Sequence, residues 1–433
     1  MLIYSHTVTP RLQYVVDFLS GYYQHTFELT TNESAFEQAL LPKISYTPAS
    51  VQESGIWMQP VSLLFESNIT VKDTACFYHP AGCKALFPAA GDMQFDLFAA
   101  IFYLISRYEE YLPHQKDNYG RYDHRQSLAF RQDFLQQPLI NIWLQDFKKL
   151  ITEKTGLTLP SPSFQWIPTY DIDIAWSYKQ KGWLRNTGGW VRDLLQGNTW
   201  ALGKRLQVLS GLAKDPFDTY EWLHALHQQY CWHPVYFFHM GFTRNKYDKS
   251  IDNHNVAFRQ LVRQHATQYP AGLHPSWQSG DDPVLVAKEK ETLETITGQS
   301  ATTSRQHFIR FTLPITYRHL LACGIRNDWS MGYGSINGFR ASVAHPFYWY
   351  DLEKEAQTDL LLHPFCFMDA NSFFEQGQSP EKSLQEILHY YNSVKEVSGN
   401  CIAVWHPNFF GTDPLYAGWK EAYEKLAQLT SVS

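Results

Sequence analysis

No stretch of the 433 residues reaches the roughly 18 consecutive apolar side chains that a membrane-crossing helix needs. The opening residues, Met1-Leu2-Ile3-Tyr4-Ser5-His6, set no basic region ahead of a long apolar one, so no export signal and a cytoplasmic location are expected. Positive charge is in short supply: 36 Lys and Arg stand against 42 Asp and Glu, for a formal charge of −6 and a pI near 6.3. No basic patch with interleaved aromatics stands out, and a phosphate backbone calls for one, so a nucleic-acid partner is not expected. Cysteine is sparse too. The six cysteines form no Cys-x-x-Cys pair, and most lie in apolar runs such as Leu321-Ala322-Cys323 and Phe365-Cys366-Phe367. They read as small buried hydrophobes, which excludes a disulfide frame and a thiolate zinc site. Internal repeats and low-complexity tracts are absent as well.

What is present is a globular composition, 44% hydrophobic and 18% charged, with an aromatic content of 16% that suits sugar-stacking clefts and large cores alike. The length leaves room for two domains. Residues 1–160 show no regular strand–helix rhythm and read as a smaller α+β domain. They hold an amphipathic stretch over 10–23, irregular β-like segments such as 61–65, and helices over 96–112 and 138–155. Arg107, Glu109 and Glu110 read as a solvated face of the first of these helices. A polar turn lies at 116–123, and the Pro- and Ser-rich segment 157–163 reads as a linker. From 161 to 433 strands and helices alternate, which implies parallel strands with crossover helices in a barrel or a doubly wound sheet of six or seven strands.

In such a domain functional side chains collect at the C-terminal strand ends. The apolar run Phe164–Tyr170 closes in Asp171-Ile172-Asp173, and at period two both carboxylates lean to one face. An isolated Asp-x-Asp is more often a turn. Here, however, further expected strand ends carry His274, then Arg305 and His307 (again at period two), then Asp328, and finally His406. Carboxylates with imidazoles and no thiolates suit a catalytic zinc-like centre with an open position for water. One carboxylate can take the proton of that water, a histidine opposite can protonate the leaving group, and Arg305 can orient the basic carboxylate. Metal-assisted hydrolysis of an amide or ester is the reaction implied.

These residues, in this order, resemble the polysaccharide deacetylase superfamily, over roughly 161–433. The resemblance implies a distorted seven-stranded (β/α) barrel preceded by the smaller α+β domain, as in a divergent bacterial subgroup with an uncharacterised N-terminal domain. Thr169-Tyr170-Asp171-Ile172-Asp173 matches the opening motif, which implies Asp171 as base and Asp173 as metal ligand, although which aspartate holds the metal stays open. His274 matches the first histidine of the second motif, but the position four residues on is Gln278; His307 is the proposed replacement. Arg305 matches the arginine that contacts the base, Asp328 with Trp329 and Tyr333 partly matches the fourth motif, and His406 matches the general acid. Trp277, Asp328, Tyr333 and Arg340 are candidate substrate contacts, with core packing or a structural role as the alternative. The implied cofactor is a divalent metal, zinc first, with manganese, cobalt or nickel as alternatives. The implied substrate is an acetylated sugar or glycan precursor. A lapsed barrel that binds glycans, or an enzyme cleaving another non-peptide C–N bond, are the competing readings.

Overall fold

The computed structural model describes residues 1–40, 42–51, 55–80 and 82–431. In its first part, β1 (Leu2–Tyr4), β2 (Glu28–Thr30), β3 (Lys43–Tyr46) and β4 (Ile56–Met58) form a parallel sheet in the order β2-β1-β3-β4. The rhythm missed in the sequence is therefore there. Strands of three or four residues are too short to display a period, so only their pairing reveals them. Helix Pro10–Tyr23 supplies the first crossover: Thr9 caps its start by accepting from the Leu12 N–H, and Gln24 ends it in a left-handed conformation. The expected β-like segment at 61–65 is a 3₁₀ turn, Ser62–Phe65. β5 (Cys76–Tyr78) and β6 (Lys84–Leu86) form a separate antiparallel hairpin.

Helix Leu97–Ile105 is buried along its whole length, capped by Asp96, which accepts from the Ala99 N–H. The expected continuation to 112 fails because Arg107 takes a left-handed φ of 53°, and a 3₁₀ turn, Tyr108–Tyr111, follows. That kink also overturns the solvated-face reading of Arg107, Glu109 and Glu110, all of which are buried. Arg107 donates to Glu110 and Glu109 at 2.8 Å each, and Arg340 grips both Glu110 oxygens at 2.9 and 2.6 Å. Burial is tolerated because each charge meets an opposite one.

The second part is a nine-stranded sheet. It contains β7 (Gln165–Ile172), β8 (Val235–His239), β9 (Ala271–His274), β10 (Thr303–Ser304), β11 (Asn327–Asp328), β12 (Phe347–Asp351), β13 (Ala356–Leu362), β14 (Phe367–Met368) and β15 (Asn400–Trp405), in the order β12-β13-β11-β10-β9-β8-β7-β15-β14. All are parallel to their neighbours except β12, which turns back on β13. The single strand expected over 359–367 is two. Its first half, β13, pairs with β11, and its second, β14, with β15. Between them His363 N–H donates to Asp328 O and Cys366 N–H to Ile402 O. Crossover helices fill the intervals, as in Pro283–Thr297, whose N-cap Asp282 accepts from the N–H groups of Val284 and Leu285. Parallel pairing puts the C-terminal ends of β7, β9, β10, β14 and β15 on one side. The two parts share packing: Tyr14 and Phe102 of the first lie 4.9 and 5.2 Å from the ring of Tyr350 in the second.

Candidate metal centre

The last residues of β7 set the site. Asp171 is buried and accepts from Arg305 Nη1 at 2.8 Å, while Asp173, one residue past the strand, turns its carboxylate to three histidines. His274 Nε2 lies 3.1 Å from Asp173 Oδ1; His307 Nε2 and His406 Nε2 lie 3.4 and 3.6 Å from Oδ2. In each ring the other nitrogen has a partner that accepts only. His274 Nδ1 donates to the Arg305 carbonyl at 2.6 Å, His307 Nδ1 to Asp248 at 3.0 Å and His406 Nδ1 to Asp369 at 2.6 Å. With Nδ1–H fixed in this way, each Nε2 faces Asp173.

The surroundings set the charge. Burial would raise the Asp173 carboxyl, but His307 and His274 beside it hold it well below the usual carboxylate range. Burial would lower His307 and His406; instead Asp173 and Asp248 lift the first to about 9, and Asp369 and Asp173 lift the second to about 10. Protonated rings packed around a carboxylate mark a place where the fold calls for positive charge, and a cation can supply it.

Asp173, His274 and His307 offer ligand atoms within 4.8 Å of one another. The buried Oδ1 of Asp173 has no hydrogen-bond partner, an orphan atom that a cation would satisfy. Tetrahedral ligation at about 2.0–2.2 Å places ligand atoms roughly 3.3–3.6 Å apart, close to the spacings found. One carboxylate and two imidazoles thus fit a divalent cation such as zinc. A second group, His239, Asp248 and His307, is also closely spaced. It does not fit: the Gly241 N–H donates to His239 Nδ1, so His239 Nε2 carries a proton and donates to Asp248 at 3.0 Å. Asp248 also receives the Trp277 N–H at 2.9 Å, which makes it an anchor for His307.

A cavity of about 600 Å³ opens over these residues, lined by Asp171, Asp173, His274, His307 and His406 and walled by Tyr119, Arg121, Tyr247 and Phe308. The expected polar turn at 116–123 therefore reaches the site from the first part of the chain. Tyr119 stacks on Phe308 at 5.3 Å, and Arg121 Nη1 donates to the Gly334 carbonyl. Arg305 and His307 arrive together, though not by strand alternation: β10 ends at Ser304, and a 3₁₀ turn with Phe308 at φ 59° presents His307.

The expected substrate contacts lie elsewhere. Asp328 is fully buried and accepts from Ser304 and Ser330, and burial lifts it to about 6. Tyr333 is buried near Arg107, and Arg340 is bound to Glu110. Trp277 stands behind the wall, stacked on Tyr247 at 4.5 Å, with the Arg310 guanidinium 4.2 Å over its ring. None of the four is among the lining residues of the cavity. Gln278 accepts from Thr243 Oγ1, away from the three histidines. Asp369 and Asp248 were not foreseen. Asp369 had a signal, a carboxylate directly after the apolar run 365–368; Asp248 had none, because it sits in a polar loop.

Among the described residues no helix is long and apolar enough to cross a membrane. Residues 1–156 match a family of unknown function, DUF7033. No curated protein matches the chain. Among solved structures, one described as a candidate polysaccharide deacetylase from Mycobacterium smegmatis is 14% identical, with a TM-score of 0.40, over 62% of this chain and 84% of that one. Another, described as a probable polysaccharide deacetylase from Pseudomonas aeruginosa PAO1, is 11% identical, with a TM-score of 0.38, over 63% and 85%. At these scores the likeness carries no argument about the site. The family match thus stops at residue 156, and the site in the second part stands on its own geometry.

Proposed function

We propose that the protein is a metal-dependent hydrolase that removes acetyl groups from an N- or O-acetylated sugar or glycan precursor. The observation that carries this reading is the convergence of three Nε2 atoms on Asp173, whose Oδ1 is otherwise unpartnered, beside Asp171 in one cavity. Asp173, His274 and His307 would hold the cation. When bound, it supplies Lewis-acid polarisation of the acetyl carbonyl and of water. Asp171, oriented by the hydrogen bond from Arg305, takes the proton of the attacking water. His406, held through Nδ1 by Asp369 and lifted to about 10, keeps a proton on Nε2 to give to the departing sugar oxygen or nitrogen. Tyr119, Tyr247 and Phe308 supply aromatic faces on which a sugar ring can stack.

The same reading treats 356–368 as one bent strand, on β11 by its first half and on β15 by its second, so that with the antiparallel β12 left outside the ring seven parallel strands go around a barrel. It places the domain boundary near 160, just beyond the matched family. Metal analysis of purified protein, together with acetate release from acetylated sugars, tests the function. Stoichiometric metal with acetate release supports it; no metal retained after reconstitution sinks it. Metal without acetate, but with ammonia or another amine released, would move it to a different C–N bond.

A further inference from the structure

The loop after Asp173 leads into two helices, Gly182–Leu195 and Thr199–Leu209, packed on each other as a hairpin. Their burial is inverted. The side chains turned inward include Asn186, Asp193 and Arg205, with Arg205 donating to Asp193 at 2.5 Å and to Asn186 at 3.1 Å and lying 4.5 Å over the Tyr178 ring. Outward stand Trp183 (75% exposed), Leu195 (82%), Leu206 and Leu212 (83%), with Trp190 and Trp200 beside them. On the first helix the outward apolar positions 183, 184, 190, 191, 194 and 195 recur at helical spacing, so they form one stripe. A hairpin facing water would bury that stripe and expose the ions; contiguous apolar exposure of this kind marks an interaction surface.

Charge selects the partner. Besides the inward Arg205, residues 177–214 carry six Lys or Arg against a single acidic residue, the buried Asp193, in a chain whose formal charge is −6. Asp193 is itself gripped by Arg192 and Arg205. A second copy would set this positive face against itself, and a phosphate backbone has no use for Trp and Leu. A surface that is both anionic and able to take up apolar side chains is a bilayer with acidic headgroups, to which Trp- and Leu-faced, Lys- and Arg-bearing helices bind in the interfacial plane. We propose that the 182–212 hairpin docks the protein on an anionic lipid surface. The hairpin touches the cavity rim, since Arg185 donates to the carbonyls of Ser250 and Lys249, in the loop that also brings Lys246, Tyr247 and Lys249 to the cavity. Docking would thus hold the cavity mouth near the headgroups.

Flotation of the full chain with vesicles tests this without reference to catalysis. Vesicles of phosphatidylcholine with about 30% phosphatidylglycerol should bind at least about tenfold more protein than phosphatidylcholine alone, and salt should weaken the binding. Trp183→Ser with Leu195→Ser, both at exposed positions, should abolish it while leaving the thermal midpoint in place; Lys179→Gln with Arg192→Gln should remove only the preference for acidic lipid. Equal weak binding to both vesicles would overturn the proposal. So would a concentration-dependent dimer in light scattering that the serine pair dissolves, which would assign the face to a second copy.

Discussion

Two clusters of buried charge, the Arg107–Glu110–Arg340 clamp and the groups around Asp173, differ in how completely they are satisfied. In the Arg107–Glu110–Arg340 clamp between the first and second parts, both Glu110 oxygens accept from arginines, and Arg340 spends its remaining arm on the Gly332 carbonyl. None of the three has a fully buried side-chain nitrogen or oxygen left without a partner. At the strand ends the pattern is the reverse: Asp173 Oδ1 is buried with no hydrogen bond and only the His274 ring 3.1 Å away, and Arg305 Nη2 is buried and unpartnered. Closed networks hold structure, whereas an open one keeps unmet bonding capacity for a guest. The contrast separates a structural ion cluster from a functional one without reference to any relative.

Substitutions can break that contrast from either side. The largest effect is expected at the open cluster. Asp171→Asn or His406→Ala should each reduce turnover by about 10²–10⁴-fold with little change in thermal midpoint, measured by acetate release beside calorimetry. At the closed cluster Arg340→Met should instead destabilise by about 3–5 kcal/mol, because it leaves Glu110 with one partner, and should leave metal content unchanged. A denaturant titration beside metal analysis checks both halves. Asp248→Asn weakens the anchor of His307 and should lower metal affinity about 10–100-fold, read by competition with a chelating dye.

The smallest effect concerns acid. Burial works against the Glu110 carboxylate, but Arg340 and Arg107 hold it at about 2, below its ordinary 4.5. A depressed carboxyl contributes stability that is full above about 4.5 and lost as pH falls through about 2. Urea midpoints should therefore fall more steeply between pH 5 and 3 in the native chain than in Glu110→Gln. Equal slopes would show that the clamp is not the acid-sensitive element.

Much of the second part was legible because its physics is local. Strands such as Gln165–Ile172 and Asn400–Trp405 are long apolar runs, and helices such as Pro283–Thr297 carry their own caps. Asp171, Asp173, His274 and His406 stood out because they interrupt apolar runs at strand ends. The first part was opaque because three-residue strands have no period, and the buried Glu109 and Glu110 look in sequence like any solvated pair. Asp328, Tyr333 and Arg340 misled for a related reason: a polar side chain after a strand reads the same whether it faces a cavity or a buried partner.

The sequence by itself determined the alternation of strands and helices and the carboxylate and imidazole inventory, since both are written in neighbouring residues. Only the tertiary structure decided which members meet. It gave Asp171 to Arg305 and Asp173 to three imidazoles, supplied Asp248 and Asp369 to orient two of those rings, and brought Tyr119 from a distant turn to the cavity wall. Those pairings join residues 134 positions apart, as from Asp171 to Arg305, and 233 apart, as from Asp173 to His406, and no local propensity encodes a contact at that range.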